Sequence, residues 1–313
     1  MRGYDALREG AAWIDLPGRG YILVHGDDRK RLLHAMTTNH VEQLKPGDGC
    51  YAFFLNDRGR IIADVNILCR PEYLILDVEA ETRPAVYEHL DKYIIADDVT
   101  LEDRSEQMTV LALEGPRAAE ILQRIGAPAP ASAYAQSEFE NVLVVNLSFT
   151  GAPGFRIYPP IEGKGKGSML ERLESAGAVG ADTEAVNIVR MEHGRPQYGV
   201  EVTERYLAQE TQIERALHFS KGCYLGQEIV ERVRSRGQVH RRLMRIEISS
   251  QDTPPAGTKL TAGGTPAGEV VSSAFSPALG KVVGFAYVRT ELARPGQALD
   301  GTAGPAVVIG PPA

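Results

Sequence analysis

The segment SKGCYLGQEIVERVRSRG, residues 220–237, has the composition of a reactive-thiol site. Gly222 and Gly226 flank Cys223, and a helical pattern follows, so the thiol is predicted on a turn near a helix N-terminus. Lys221 and the later arginines add positive charge. Both features stabilise a thiolate, as a reactive or sensing cysteine requires. The alternative is a small buried hydrophobic side chain, which is the commoner state of a free cysteine, and the spacing alone does not separate the two.

Two carboxylates are the other candidates for chemistry. Asp64 lies within the apolar stretch GRIIADVNIL. An unpaired carboxylate is costly there, so it either faces solvent on an alternating strand or lines a cleft. Glu192 ends an amphipathic stretch that then turns through glycine and proline residues. A carboxylate at such a break can accept two parallel N–H donors from a planar heterocycle. The alternative, which the pattern alone favours, is an exposed glutamate in the last turn of a helix.

The formal charge of the 313 residues is −7, which argues against general nucleic-acid binding. The charge is uneven, because residues 221–245 have a net charge of +5 and the remaining chain has −12. A solvated surface is the simple interpretation of such a run. A local anion site on an otherwise acidic protein is the alternative.

Several classes of protein are disfavoured by the motifs and residue counts. Three cysteines without a CxxC pair argue against a disulfide framework, a structural zinc site or a self-contained iron–sulfur site. The longest apolar run, at 50–55, has six residues, and about 20 are needed to span a bilayer. The first residues show no secretory signal, so we expect a cytoplasmic protein without membrane segments. No HExxH, GxSxG or GxGxxG motif supports a metalloprotease, an α/β-hydrolase or a Rossmann dehydrogenase.

The elements that position these residues form two similar stretches. YILVHG followed by DDRKRLLHAMTTN, and MTVLALEG followed by PRAAEILQRIG, both read as a strand, a glycine and a helix. An offset of 89 residues superposes their apolar positions, which indicates two related α+β units. CYAFFLND, GRIIADVNIL and YLILDVE read as further strands, with a hairpin candidate at Asn-Asp-Arg-Gly. Helices and antiparallel strands mingle here, so the fold class is predicted as α+β rather than a doubly wound sheet.

The C-terminal part differs in composition. Residues 251–313 contain 18 Gly and Pro residues in 63, with short apolar alternations such as KVVGFAYVR. Short strands between turns predict a small β-barrel or sandwich. We therefore predict an α+β region at 1–237, with units at roughly 1–105 and 106–237, and a C-terminal β-barrel domain at 238–313.

Together these segments resemble the folate-binding YgfZ family, a branch of the glycine-cleavage T-protein (aminomethyltransferase) superfamily. KGCYLGQE at 221–228 matches the signature Lys-Gly-Cys-aromatic-x-Gly-Gln-Glu of that branch. GFRIYPP, RMEHGRPQYG and GEVVSSAFSPALGKVVGFAYVR recur in family order, so the resemblance covers nearly the whole chain. It implies a T-protein-like fold of two α+β units around a central opening plus a C-terminal barrel. Tetrahydrofolate, or a one-carbon derivative of it, would occupy the opening.

The resemblance also implies roles for single residues. Glu192 would read the edge of the pterin ring, and Tyr198 of the same motif would be a further folate contact. The transferases have a pair of aspartates where this chain has Ala63 and Asp64. Asp64 alone would therefore hydrogen-bond the folate or stabilise cationic character on it. Because folates carry carboxylates on a glutamyl tail, Arg234, Arg241 and Arg242 are the expected tail contacts.

Three functional hypotheses follow from the resemblance. The first is a tetrahydrofolate-binding protein that supports iron–sulfur cluster assembly or repair, with Cys223 and Lys221 in the chemistry and iron–sulfur client or assembly proteins as partners. One cysteine cannot enclose a cluster, so any such contact would be transient or shared. The alternative is a folate-dependent aminomethyltransferase, or another one-carbon transfer enzyme of the T-protein type. The third is a scaffold protein that keeps only the fold.

Overall fold

The structure is a computed structural model that describes residues 1–160, 165–237 and 239–313. Residue 238, where the predicted barrel domain begins, lies outside the described residues. No helix among those described is long and apolar enough to cross a membrane.

The N-terminal part of the chain builds a five-stranded antiparallel sheet and contributes one strand to a second sheet. The Asn-Asp-Arg-Gly link forms the predicted hairpin, which joins the strands Gly49–Leu55 and Ile61–Cys69 of this sheet. Its elements are α1 (Tyr4–Glu9), β1 (Ala12–Asp15), β2 (Gly20–His25), α2 (Arg29–Met36), β3 (Gly49–Leu55), β4 (Ile61–Cys69), β5 (Leu74–Val78), α3 (Arg83–Asp91) and β6 (Thr100–Asp103). The strand order is β3-β4-β5-β2-β6.

The following part completes a six-stranded sheet around β1. Its elements are β7 (Leu111–Glu114), α4 (Ala118–Arg124), β8 (Gln136–Phe139), β9 (Val142–Val145), β10 (Gly154–Tyr158), α5 (Gly165–Ser175), β11 (Val179–Gly180), α6 (Thr183–Glu192) and α7 (Gln227–Arg236). The order is β11-β1-β7-β10-β9-β8, so β1 ties the beginning of the chain into the second unit.

The C-terminal part forms a closed six-stranded barrel. Closure pairs every strand with two neighbours, so no strand edge is left open. The strands are β12 (Arg241–Ile248), β13 (Lys259–Ala262), β14 (Thr265–Ser276), β15 (Lys281–Arg289), β16 (Ala298–Gly301) and β17 (Gly304–Gly310). The predicted α+β fold with two related units and a C-terminal barrel is thereby confirmed.

The two sheets pack face to face. One apolar core joins residues of the five-stranded sheet, such as Leu23 and Ile75, to residues of the six-stranded sheet, such as Ala112 and Tyr158. Helices cover the outer faces, with α2 and α3 on the first sheet and α4 and α5 on the second. A strand covered on both faces must be apolar at nearly every position. Polar residues within such strands therefore need partners or a cavity.

Candidate functional site

A cavity opens between the two sheets, and we call it the central cavity. Its lining includes Asp64 of β4, Glu79 just after β5, and Tyr51 of β3. Arg195 and Arg215, from the chain that follows α6, line it as well. With the side chains as they stand, the cavity encloses about 60 Å³. That volume takes a few water molecules, so a bicyclic ring enters only when long side chains turn outward.

Asp64 is the carboxylate that the cavity leaves incompletely bonded. The Tyr51 hydroxyl donates to its Oδ2 at 2.8 Å. Its Oδ1 is buried and has no hydrogen-bond partner among the described residues. Burial, together with the negative charge of Glu79, raises the pKa of Asp64 to about 6, although the Arg19 guanidinium opposes the shift. Asp64 therefore lines a cleft, and it offers one open acceptor there.

Ala63 points away from this cavity. Adjacent residues of a strand face opposite sides of the sheet. Ala63 is fully buried and belongs to the apolar layer that contains Leu33 of α2 and Val86 of α3. An aspartate at position 63 would lie in that layer, so its absence does not change the lining of the central cavity.

The arginines of the cavity differ in their partners. Arg195 forms no salt bridge within the described ranges, whereas Arg215 donates from Nη1 to the backbone oxygen of Ala313. The Arg215 guanidinium lies 5.0 Å from the centre of the Tyr51 ring. Burial and the nearby Arg215 lower the pKa of Arg195. The neighbouring Arg190, by contrast, is paired with Glu201 at 3.0 Å. The cavity thus presents one cation, Arg195, that has no salt-bridge partner among the described residues and that an anionic group of a ligand would balance.

Comparisons with known proteins agree with this architecture. The family model of the GCVT N-terminal domain matches residues 2–221, and that of the glycine cleavage T-protein C-terminal barrel domain matches residues 241–312. The chain belongs to the glycine cleavage T-protein family.

Relatives of this T-protein family member include an aminomethyltransferase of Rubrobacter xylanophilus, 31% identical over 92% of this chain and 78% of the relative. A putative chloroplastic transferase of Arabidopsis thaliana is 27% identical over 92% of this chain and 68% of the relative. The crystal structure of the glycine cleavage system aminomethyltransferase T from Bartonella henselae superposes with a TM-score of 0.89 over 98% of this chain and 87% of that chain, at 21% identity, and shows the same fold. The names of the relatives favour the aminomethyltransferase alternative over the accessory-protein hypothesis.

Glu192 of the T-protein-like motif lies outside the central cavity. Its Oε1 accepts hydrogen bonds from Tyr4 at 2.5 Å and from Ser276 at 2.6 Å, and its Oε2 is paired with Arg8. Only 4% of the Glu192 side chain is exposed. Both oxygens hold α1 and the barrel against α6, and the pterin contact expected at Glu192 stays a prediction.

Tyr198 contacts the backbone of β4 and does not line the central cavity. Its hydroxyl donates to the backbone carbonyls of Ile61, at 3.3 Å, and Ile62. Burial, together with the Asp64 charge, raises the pKa of Tyr198 to about 12. Tyr198 stays neutral at ordinary pH and supports the backbone of β4 directly before Asp64.

The KGCYLGQE turn of the chain is bound to the C-terminal end of α2. The Lys221 ammonium donates to the carbonyl oxygens of Thr37, at 2.5 Å, and His34. Burial lowers the pKa of Lys221 to about 8. Cys223 is exposed, so it is not the small buried hydrophobic side chain of the alternative. Neither Lys221 nor Cys223 lines the central cavity.

The three arginines expected at the glutamyl tail also lie elsewhere. Arg234 is on α7, 4.8 Å from the centre of the Phe219 ring. Arg241 is paired with Glu210 at 3.2 Å, and Arg242 follows it on β12. None of the three lines the central cavity. The cations found there are Arg19, Arg156, Arg190, Arg195 and Arg215. The sequence analysis missed all five, although Arg190 and Arg195 lie in the RMEHGRPQYG motif it had singled out.

The described part of the chain shows no group of three or more His, Cys, Asp or Glu side chains arranged to hold a metal ion.

Proposed function

We propose that this T-protein family member binds a reduced folate in the central cavity and transfers a one-carbon unit to it, as an aminomethyltransferase does. The single observation that supports this most is Asp64, with one fixed oxygen and one open buried oxygen on the cavity wall. The names of the curated relatives support the same reaction class.

The chemistry of the lining fits a reduced folate. The pterin ring carries N–H donors, which the open oxygen of Asp64 can accept. The glutamyl tail carries carboxylates, which Arg195 and Arg215 can bind as bidentate partners. Arg195 is also the long side chain without a salt-bridge partner in the described residues, so it is the one expected to turn when the ring enters the small cavity.

Tetrahydrofolate supplies, when bound, the ring nitrogens that accept the one-carbon unit. Tyr51 fixes the orientation of the Asp64 carboxylate through Oδ2 and leaves Oδ1 without a partner among the described residues. A carboxylate held in a buried wall stabilises positive charge more strongly than it would in water. With a pKa of about 6, Asp64 is mostly ionised above neutral pH, and it can still accept a proton from the reacting group.

Calorimetry with tetrahydrofolate, followed by product analysis with an aminomethyl donor that releases ammonia on transfer, tests this proposal. We expect wild type to bind tetrahydrofolate and to form methylene-tetrahydrofolate. The Asp64→Asn variant should form product about 100-fold more slowly or worse. Asp91→Asn, an exposed aspartate on α3, is the matched control and should behave as wild type. A wild type that binds no folate would end the proposal, and one that binds without forming product would end its transfer step.

A second candidate function is support of iron–sulfur enzymes. The exposed thiol of Cys223, on a turn that Lys221 holds against α2, favours it. The corresponding test is a deletion strain complemented with Cys223→Ala or with Asp64→Asn. Loss of a cluster-dependent enzyme activity with the first variant only would support this candidate. Full rescue by Cys223→Ala would remove the cysteine from the mechanism.

A further inference from the structure

A second carboxylate, Glu79, lines the central cavity at the end of β5, the strand that pairs with the Asp64 strand β4. Glu79 follows β5 directly, and 17% of its side chain is exposed. Arg19 donates from Nη1 to the Glu79 Oε1 at 2.6 Å. The other oxygen, Oε2, takes no hydrogen bond from the side chains that the structure describes. Asp64 and Glu79 therefore share one pattern, in which one oxygen is held by the protein and the other is open.

The arginine beside Glu79 is not free to neutralise both carboxylates. Arg19 also pairs with Asp77, which is fully buried and accepts further bonds from Arg156 and from the Tyr158 hydroxyl, the latter at 2.7 Å. Burial alone would raise the pKa of Asp77, but the charges of Arg156 and Arg19 hold it below the usual value. Asp77 and Glu79 thus share Arg19, and Asp64 forms no salt bridge within the described ranges. Asp64 and Glu79, which each keep one oxygen open, are the carboxylates that line the cavity.

The other charged side chains that line the cavity do not neutralise Asp64 and Glu79. Arg190 is already paired with Glu201. Arg215 lies over the ring of Tyr51, whose hydroxyl is bonded to Asp64. Arg195 lines the cavity without a carboxylate partner within the described ranges. After burial, the charge of Glu79 is the largest cause of the raised pKa of Asp64, so the two carboxylates interact.

We propose that Glu79 is a ligand-binding residue, and that its open oxygen and that of Asp64 together accept N–H donors of a reduced pterin ring. This inference rests on the proposed folate binding and names the part of the ligand that each wall recognises. Two desolvated carboxylates repel each other, and a ring rich in N–H donors relieves that repulsion while satisfying both open oxygens. Arg195 and Arg215 are left to bind the anionic tail.

Substitution at Glu79 should leave the fold intact. Arg19 keeps its buried partner Asp77, and glutamine retains an oxygen that accepts from Arg19. Thermal unfolding of Glu79→Gln should therefore be close to that of wild type. Glu79→Asp, which keeps the charge but shortens the reach, is the second variant.

The binding test uses tetrahydrofolate and 6-methyltetrahydropterin, a ring without a glutamyl tail. For Glu79→Gln we expect an affinity loss of about tenfold or more for both compounds, because a charged acceptor is lost. Arg195→Gln should weaken tetrahydrofolate binding and leave the tail-less ring unaffected. Glu102→Gln, a glutamate on the edge strand β6 paired with Arg104, is the control and should change neither.

A titration of the ligand-free protein gives an independent readout. Carbon-13 NMR of labelled aspartate carboxyls should show Asp64 titrating near pH 6 in wild type. It should titrate at lower pH in Glu79→Gln and near the wild-type value in Glu79→Asp. Equal affinity of wild type and Glu79→Gln for the tail-less ring would overturn the inference while the proposed folate binding stands. If wild type binds neither compound, the proposed function itself fails, and the inference falls with it.

Discussion

Asp64 and Glu192 are two buried carboxylates that differ in how many hydrogen bonds they accept. The resemblance to the T-protein superfamily marked both as folate contacts, and both are removed from bulk solvent. Glu192 accepts from Tyr4, Arg8 and Ser276 and joins α1, α6 and β14. Asp64 accepts from Tyr51 alone and leaves Oδ1 without a partner among the described residues.

The difference lies in what each carboxylate contributes to the folded state. A buried carboxylate with several donors stabilises the elements that supply them, whereas one with an open oxygen keeps part of its desolvation penalty. A residue that lowers the stability of the fold without supporting its structure is expected at a functional site. We therefore expect Glu192 to stabilise the fold and Asp64 to contribute to the proposed chemistry.

Removal of Glu192 should produce the largest effect on stability. Glu192→Ala leaves Arg8, Tyr4 and Ser276 without their acceptor, and we expect the free energy of unfolding to fall by about 3 kcal/mol. Urea denaturation measures this loss. Tetrahydrofolate affinity of the folded variant, measured by calorimetry, should stay within about twofold of wild type. A folded Glu192→Ala protein that no longer binds folate would reverse the assignment.

Asp64→Asn should change the free energy of unfolding in the opposite direction and stabilise the protein. The unfolded pKa of an aspartate is about 4 and that of folded Asp64 is about 6. Between these values the folded state keeps a proton that the unfolded state has lost, so stability falls as pH rises through this window and is constant above it. The variant lacks this loss and should be more stable than wild type by about 2 kcal/mol at about pH 8.

Urea denaturation of wild type and Asp64→Asn across this pH range checks the prediction. The two curves should converge below about pH 3, because Asp64 is then protonated in both states. Asp91→Asn provides the background for an exposed aspartate. A variant less stable than wild type at alkaline pH would show that the Asp64 carboxylate holds the fold together.

The sequence predicted the elements well, because periodicity is a local property. The strand-glycine-helix units, the hairpin of β3 and β4 and the C-terminal barrel are all present. Asp64 was also flagged correctly as unusual, since a carboxylate in a strand that is otherwise apolar needs a reason. Whether it faced solvent or a cleft required the second sheet, which covers that face of β4.

Partners distant in sequence were outside the reach of such patterns. Nothing near Glu192 shows that Tyr4, Arg8 and Ser276 converge on it, since these lie more than 80 positions away. Glu79 and Arg215 carried no motif of their own. The basic run at 221–245 drew attention to the arginines of α7 and β12, of which Arg234 pairs with Glu231 and Arg241 with Glu210.

The arginines allow a smaller test of the same comparison. Arg195→Gln removes a cavity cation without a carboxylate partner in the described residues, and tetrahydrofolate affinity should fall about tenfold through loss of a charged hydrogen bond. Arg234→Gln removes an exposed cation on α7 that pairs with Glu231 at 3.4 Å, and affinity should change by less than about twofold. Titrations at low and raised salt separate a bound carboxylate from general attraction, because screening weakens only the long-range contribution of Arg234. A larger loss of affinity for Arg234→Gln than for Arg195→Gln would mean that the tail lies over the basic surface of α7 and not against Arg195 in the central cavity.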